Sequence, residues 1–209
     1  MVRERVRIRF TKQDDLRWLS HRDLVRAWER LLRRAEVPLG MTEGFHPKPR
    51  MNFPSALAVG IAGLDELVEI ELSAPWSAEQ LRAALAPHLP PGLSVGKVEV
   101  VAFERGKAQA VEVEFEAVLP PERQSAVAER IEWFLSQASH PIEREGRSAP
   151  LDLRPLVAGL AIRAGAVSMR LRLDRQGSAR PREVLAALGL AELELDGGTL
   201  TRTRVEVAP

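Results

Sequence analysis

The chain has 209 residues, and 30 Lys+Arg against 29 Asp+Glu leave a formal charge of +1 with no cysteine. Bulk charge therefore recruits no partner, and a composition of 45% hydrophobic and 28% charged residues is that of a folded protein, not a disordered one. The absence of cysteine excludes a disulfide framework, thiolate zinc sites, a cysteine nucleophile and a self-contained iron–sulfur cluster.

The near-zero total is a cancellation. Residues 1 to 60 carry 13 Lys+Arg and 7 Asp+Glu, whereas residues 61 to 104 carry 2 and 7. No apolar run approaches the roughly 18 residues of a membrane span. The N-terminus alternates charged and apolar residues where a signal peptide would be continuously apolar, so a cytoplasmic protein with no membrane partner is expected.

The first predicted strand places Val6, Ile8 and Phe10 on one parity and Arg3, Arg5, Arg7 and Arg9 on the other. Ser20 with Asp23 predicts a capped helix running to about Glu36. Leu24, Trp28, Leu31 and Leu32 form its apolar stripe, and Arg22, Arg26, Arg30, Arg33 and Arg34 its other face. The Pro-rich stretch from Gly44 to Arg50, GFHPKPR, predicts a loop and short hairpin. A strand over Leu67 to Ser73 follows, with Glu69 and Glu71 on its polar parity. Ser77 and Gln80 cap the next helix, and Val95 to Phe103 is again a strand.

This order of elements is that of a split βαβ, ferredoxin-like unit, and it recurs. Val111 to Leu119 is a strand with Glu112, Glu114 and Glu116 on one face. Pro121 opens a helix to Ala138; Leu160 to Ala164 and Ser168 to Asp174 are the middle strands. Pro181 opens a last helix and Leu200 to Val207 closes. The expectation is an α+β protein of two ferredoxin-like halves with antiparallel sheets, a basic half over residues 1–104 and a second over 109–209. Trp28 and Trp133, both on apolar helical stripes, are expected in the core.

The Arg row admits three readings. It forms a solvated charge ladder with Glu69 and Glu71, or it faces the Glu row of the second half if the two sheets pack together, or it is an open RNA-binding face. The proline-flanked His46 and Lys48, with Phe45 and Arg50 beside them and His21, Arg22 and Asp23 at the helix start, suit an anion such as a phosphate. Arg180, just before Pro181, adds a cation in the second half.

The segments SHRD, RRAEVPL, GFHPKPRMNFPSALAVGIAGLDELVEIEL, DLRPLV and SARPREVLAALGL resemble the radical-SAM-linked protein family, a bacterial domain of unknown function, over nearly the whole chain. Many members carry GFNPHP where this chain has His46 and Lys48 in place of the Asn and the His. The resemblance implies a role beside a radical SAM protein, encoded nearby or fused in relatives, and the absence of cysteine agrees with a cluster-free appendage.

The expected function is thus a non-catalytic accessory module that binds RNA, transfer or ribosomal, or the radical SAM enzyme, and presents substrate to it, with no cofactor and no DNA specificity. The candidate substrate-binding residues are Arg3, Arg5, Arg7, Arg9, His21, Arg22, Asp23, Phe45, His46, Lys48, Arg50 and Arg180. Two alternatives belong to other classes. One is a metal-independent endoribonuclease in which His21 or His46 is the acid or base and Lys48 or Arg50 stabilises the phosphorane; the other is a protein-interaction scaffold. The four scattered histidines give no metal-ligand spacing, and no metal site is expected.

Overall fold

The computed structural model describes residues 4–103, 106–146, 148–174 and 177–208. These fall into two compact units, one holding the residues up to Gln109 with those from Val207, the other Ala110–Glu206.

In the first unit, β1 (Glu4–Lys12) leads through a 3-10 turn to α1 (His21–Arg34). Then come β2 (Met51–Asn52), β3 (Ala62–Leu72), α2 (Ala78–Leu85) and β4 (Val95–Val101). Strand β1 lies between β3 and β4, antiparallel to both, and β2 pairs with β3. The period-two pattern decides the faces: Val6, Ile8 and Phe10 are buried with Val68, Ile70 and Leu72 against Leu24, Trp28, Leu31 and Leu32 of α1. Helix α1 starts where Ser20 Oγ accepts the Asp23 N–H at 3.2 Å and donates to Asp23 Oδ2 at 2.7 Å. Helix α2 carries the full reciprocal box of Ser77 and Gln80.

In the second unit, β5 (Ala110–Val118) is followed by α3 (Gln124–Ser136), β6 (Pro141–Ile142), β7 (Leu151–Asp152) and β8 (Val157–Arg163). β9 (Ala166–Asp174), β10 (Gly177–Ser178), α4 (Pro181–Ala187) and β11 (Leu200–Val207) complete it. β8 and β9 form a hairpin through Ala164 and Gly165, both at positive φ, the backbone that a two-residue turn between twisted strands requires. β5 lies antiparallel to β9 with Glu112 opposite Arg172 and Glu114 opposite Arg170.

The hydrogen-bonded strand path reads β10-β9-β5-β11-β3-β1-β4, with β2 on β3 and β8 on β9, which makes one nine-stranded sheet beside the separate β6–β7 pair. This overturns the expected two small ferredoxin-like antiparallel sheets, and with them the packing of one separate sheet on another. Alternation fixes which face a side chain occupies, but the N–H and C=O groups along a strand edge carry no side-chain signature. The strand that an edge recruits is therefore not written in the pattern. Trp133 also departs from expectation at 50% exposure. Val127, Ile131 and Phe134 are the buried stripe of α3. Trp133 is one residue from Phe134 and so about 100° away around the helix.

Candidate functional site

The arginine row is held by carboxylates of β3. Arg5 faces Glu71 and Arg7 faces Glu69 in the register of the two strands. Arg7 Nε donates to Glu69 Oε1 at 2.9 Å, and Arg9 Nη1 lies 3.2 Å from Asp65 Oδ2. Arg5 is 4% exposed, with Nη2 3.7 Å from Glu71 Oε1, its guanidinium 4.8 Å from the Phe103 ring and a donated hydrogen bond to the Gly106 carbonyl. Arg3 lies outside the described residues.

Glu69 and Glu71 project from the same side of β3 and differ in how fully they are used. Glu69, 2% exposed, accepts from Arg7, from Asn52 Nδ2 at 3.1 Å and from the Ala108 N–H at 2.6 Å. Glu71, 7% exposed, has Arg5 at 3.7 Å and Arg50 Nε at 3.8 Å, and its Oε2 is buried with no hydrogen-bond partner among the described residues. A cleft of about 160 Å³ is lined by Arg5, Thr42, Arg50, Asn52, Glu71 and Lys107 among others.

One wall of that cleft is the base of the Pro-rich loop. Leu39 bridges to Leu72 and Met41 to Pro49. Gly40 N–H donates to the Glu71 carbonyl at 2.7 Å and Glu71 N–H to the Arg50 carbonyl at 3.0 Å, which ties both loop stems to the end of β3. At the tip, the Thr42 N–H donates to the Lys48 carbonyl at 2.8 Å, and the Lys48 N–H returns a bond to Thr42 Oγ1 at 2.9 Å. Gly44 stands at φ 119, in the region that only glycine enters without strain. The closed tip holds Phe45 fully in solvent, at 102% exposure, with exposed His46 and Lys48 beside it.

Helix α1 supplies a second basic surface. Arg22, Arg26, Arg30, Arg33 and Arg34 are exposed, opposite the buried Leu24, Trp28, Leu31 and Leu32. Among the described residues only Arg26 of these five has a carboxylate partner, Asp23 at 3.4 Å. His21 sets its ring edge-on to Phe53 at 5.6 Å. No hydrogen bond or ion pair joins His21 to His46, Lys48 or Arg50 among the described residues. Arg180 caps α4 in the second unit, its N–H donating to Glu183 Oε2 at 2.8 Å. No group of three or more His, Asp or Glu among the described residues is placed to hold a metal ion.

Thr42, Asn52 and Lys107 of this cleft were outside the sequence-based set. Asn52, directly after the Pro-rich loop and before Phe53, is the one whose position gave a signal, as a polar residue in an otherwise apolar stretch.

A family model described as "Uncharacterized protein conserved in bacteria (DUF2344)" matches residues 5–181. The chain belongs to this family. The match takes in α1, the Pro-rich loop and the cleft residues on β2 and β3. None of the curated proteins compared with the chain matches it. Among solved structures, a crystal structure of an unknown protein from Galdieria sulphuraria is 15% identical over 100% of each chain at a TM-score of 0.30, a level that carries no argument. No helix among the described residues is long and apolar enough to cross a membrane.

Proposed function

We propose that this chain is a non-catalytic RNA-binding module acting beside a radical SAM enzyme, with α1 and the Pro-rich loop as its RNA-binding surface. The observation that carries the reading is the outward face of α1. Like charges three or four residues apart destabilise a helix by about 0.2–0.5 kcal/mol per pair. Arg22, Arg26, Arg30, Arg33 and Arg34 accumulate several such pairs with one weak carboxylate partner, so the face is a cost to stability and suits a polyanion. The fully exposed Phe45, held by a closed tip beside His46 and Lys48, supplies a stacking surface for an unpaired base.

His21 packs against Phe53 and His46 makes no hydrogen bond among the described residues, so neither imidazole is held by a partner that would orient it as an acid or base; that supports binding over cleavage. The absence of cysteine leaves any cluster chemistry to the partner enzyme. The test is binding of single-stranded RNA by the full chain across a salt series, with the RNA recovered afterwards and sized. Binding that weakens with log slope of about −0.7 per phosphate contact and leaves the RNA intact is expected. Salt-insensitive or absent binding removes the reading, and shortened RNA returns the endoribonuclease. Co-purification of the radical SAM protein without RNA affinity would instead favour the scaffold.

A further inference from the structure

We infer that the cleft at Glu71 holds one guanine nucleotide, with the Glu71 carboxylate reading the base and Arg50 and Lys107 holding the phosphate. The inference deepens the RNA-binding reading and rests on it for the source of the nucleotide. Its starting point is the contrast between two carboxylates two residues apart. Glu69 accepts three hydrogen bonds, from Arg7 on one oxygen and from Asn52 and the Ala108 N–H on the other. Glu71 has its charge compensated at 3.7 and 3.8 Å by Arg5 and Arg50, beyond hydrogen-bond reach, while its buried Oε2 accepts no hydrogen bond among the described residues. A buried acceptor without a donor is costly, and the residue that carries this one is among those lining the cleft.

The occupant follows from the groups around it. It must bring N–H donors to Glu71. It must also bring negative charge, because Arg50 and the exposed Lys107 line the same cleft and Lys107 has no carboxylate partner among the described residues. A bare cation fails the second requirement and inorganic phosphate the first. The buried Pro49 and the half-buried Met51 add apolar surface for a planar ring. Of the four bases, guanine alone presents two adjacent donors, N1–H and the N2 amine, to a carboxylate. Adenine and cytosine set an acceptor nitrogen beside their amine, and uracil flanks its single N–H with two carbonyls, so each brings a lone pair against Glu71. A site with an unpaired buried polar group discriminates strongly between ligands that do and do not complete it.

The experiment titrates the full chain with GMP, AMP, CMP and UMP by calorimetry, and repeats the series on Glu71→Gln and Lys107→Ala. GMP is expected to bind about tenfold or more tighter than the others, and Glu71→Gln to erase that preference. Lys107→Ala weakens GMP more than guanosine. Should Glu71→Gln fail to fold, the wild-type nucleotide series and the Lys107→Ala comparison decide. Equal affinity for all four nucleotides, or no binding of GMP at millimolar concentration, overturns the inference. If RNA binding through α1 persists in that case, only the cleft assignment fails. If GMP binds through Glu71 while RNA does not bind, the RNA reading fails and the cleft is a site for free guanine nucleotides.

Discussion

Arg7 Nε and Glu69 Oε1 meet at 2.9 Å with Glu69 buried and Arg7 half-buried, and Glu69 gathers Asn52 and the Ala108 N–H onto its other oxygen. The pair joins β1 to β3 and fixes the residues after β4 against them. Removing one partner of a buried, hydrogen-bonded ion pair strands the other, at a cost of about 3–5 kcal/mol. Glu69→Ala is therefore expected to lower the urea midpoint by that order. Arg9→Ala, at the more exposed pair with Asp65, should cost about 1 kcal/mol or less. Similar small losses from both would show that the Arg7–Glu69 network does not hold the strands in register.

The basic face of α1 is expected to act on affinity and leave the fold intact. Arg22→Ala, Arg30→Ala and Arg33→Ala each remove one cation from a helix whose core face is untouched. Each should reduce the slope of log K against log salt by about one contact's worth, with unfolding midpoints held or slightly raised as like-charge pairs are relieved. Arg7→Ala should do the opposite, destabilising the protein and leaving the slope where it was. Filter binding at several salt concentrations separates the two. An unchanged slope in the triple variant would remove α1 from the interface.

How much of this was legible in the sequence differs by feature. The alternation of β1 named Val6, Ile8 and Phe10 as core and placed the Arg row opposite Glu69 and Glu71, because a period of two admits only two faces. The start of α1 was legible for the same kind of reason, since Ser20 and Asp23 are local partners. The nine-stranded path was not legible, because strand edges have no residue code. Nor was the cleft, whose lining residues come from the Pro-rich hairpin, β1, β3 and the segment after β4. The difference between a well-bonded Glu69 and an unsatisfied Glu71 is tertiary: both read as Glu on the polar parity of one strand, and the bonds from Arg7, Asn52 and Ala108 tell them apart.

Phe45 is the residue for which stability and binding should separate most sharply. It buries nothing in the folded chain, so Phe45→Ala is expected to change the unfolding free energy by less than about 0.5 kcal/mol. Loss of a stacked base costs about 1–3 kcal/mol of affinity. A fluorescence titration with a short unpaired RNA should therefore show roughly a five- to hundredfold weaker complex. Unchanged affinity would leave the exposed ring with no part in RNA binding.

The second unit carries a pH-dependent element of its own. Burial pushes the Asp152 carboxyl up, but the His140 N–H at 2.8 Å, the Ser139 side chain and the Arg154 N–H at 3.0 Å together hold it below the usual aspartate range. Its folded value thus lies beneath the ordinary value of about 3.9 that the unfolded chain retains. The unfolded state then binds the proton first. The stabilisation is full above about pH 4 and is lost as pH falls from there through the lower folded value. Asp152 joins β7 to the residue preceding β6, so its protonation should loosen that two-stranded pair before the rest of the unit. Asp152→Asn keeps a side-chain acceptor and removes the titration. Its urea midpoint is expected to be lower than wild type at pH 6 and to converge on it toward pH 3. A difference that stays constant across that range would mean that the carboxylate charge contributes nothing there.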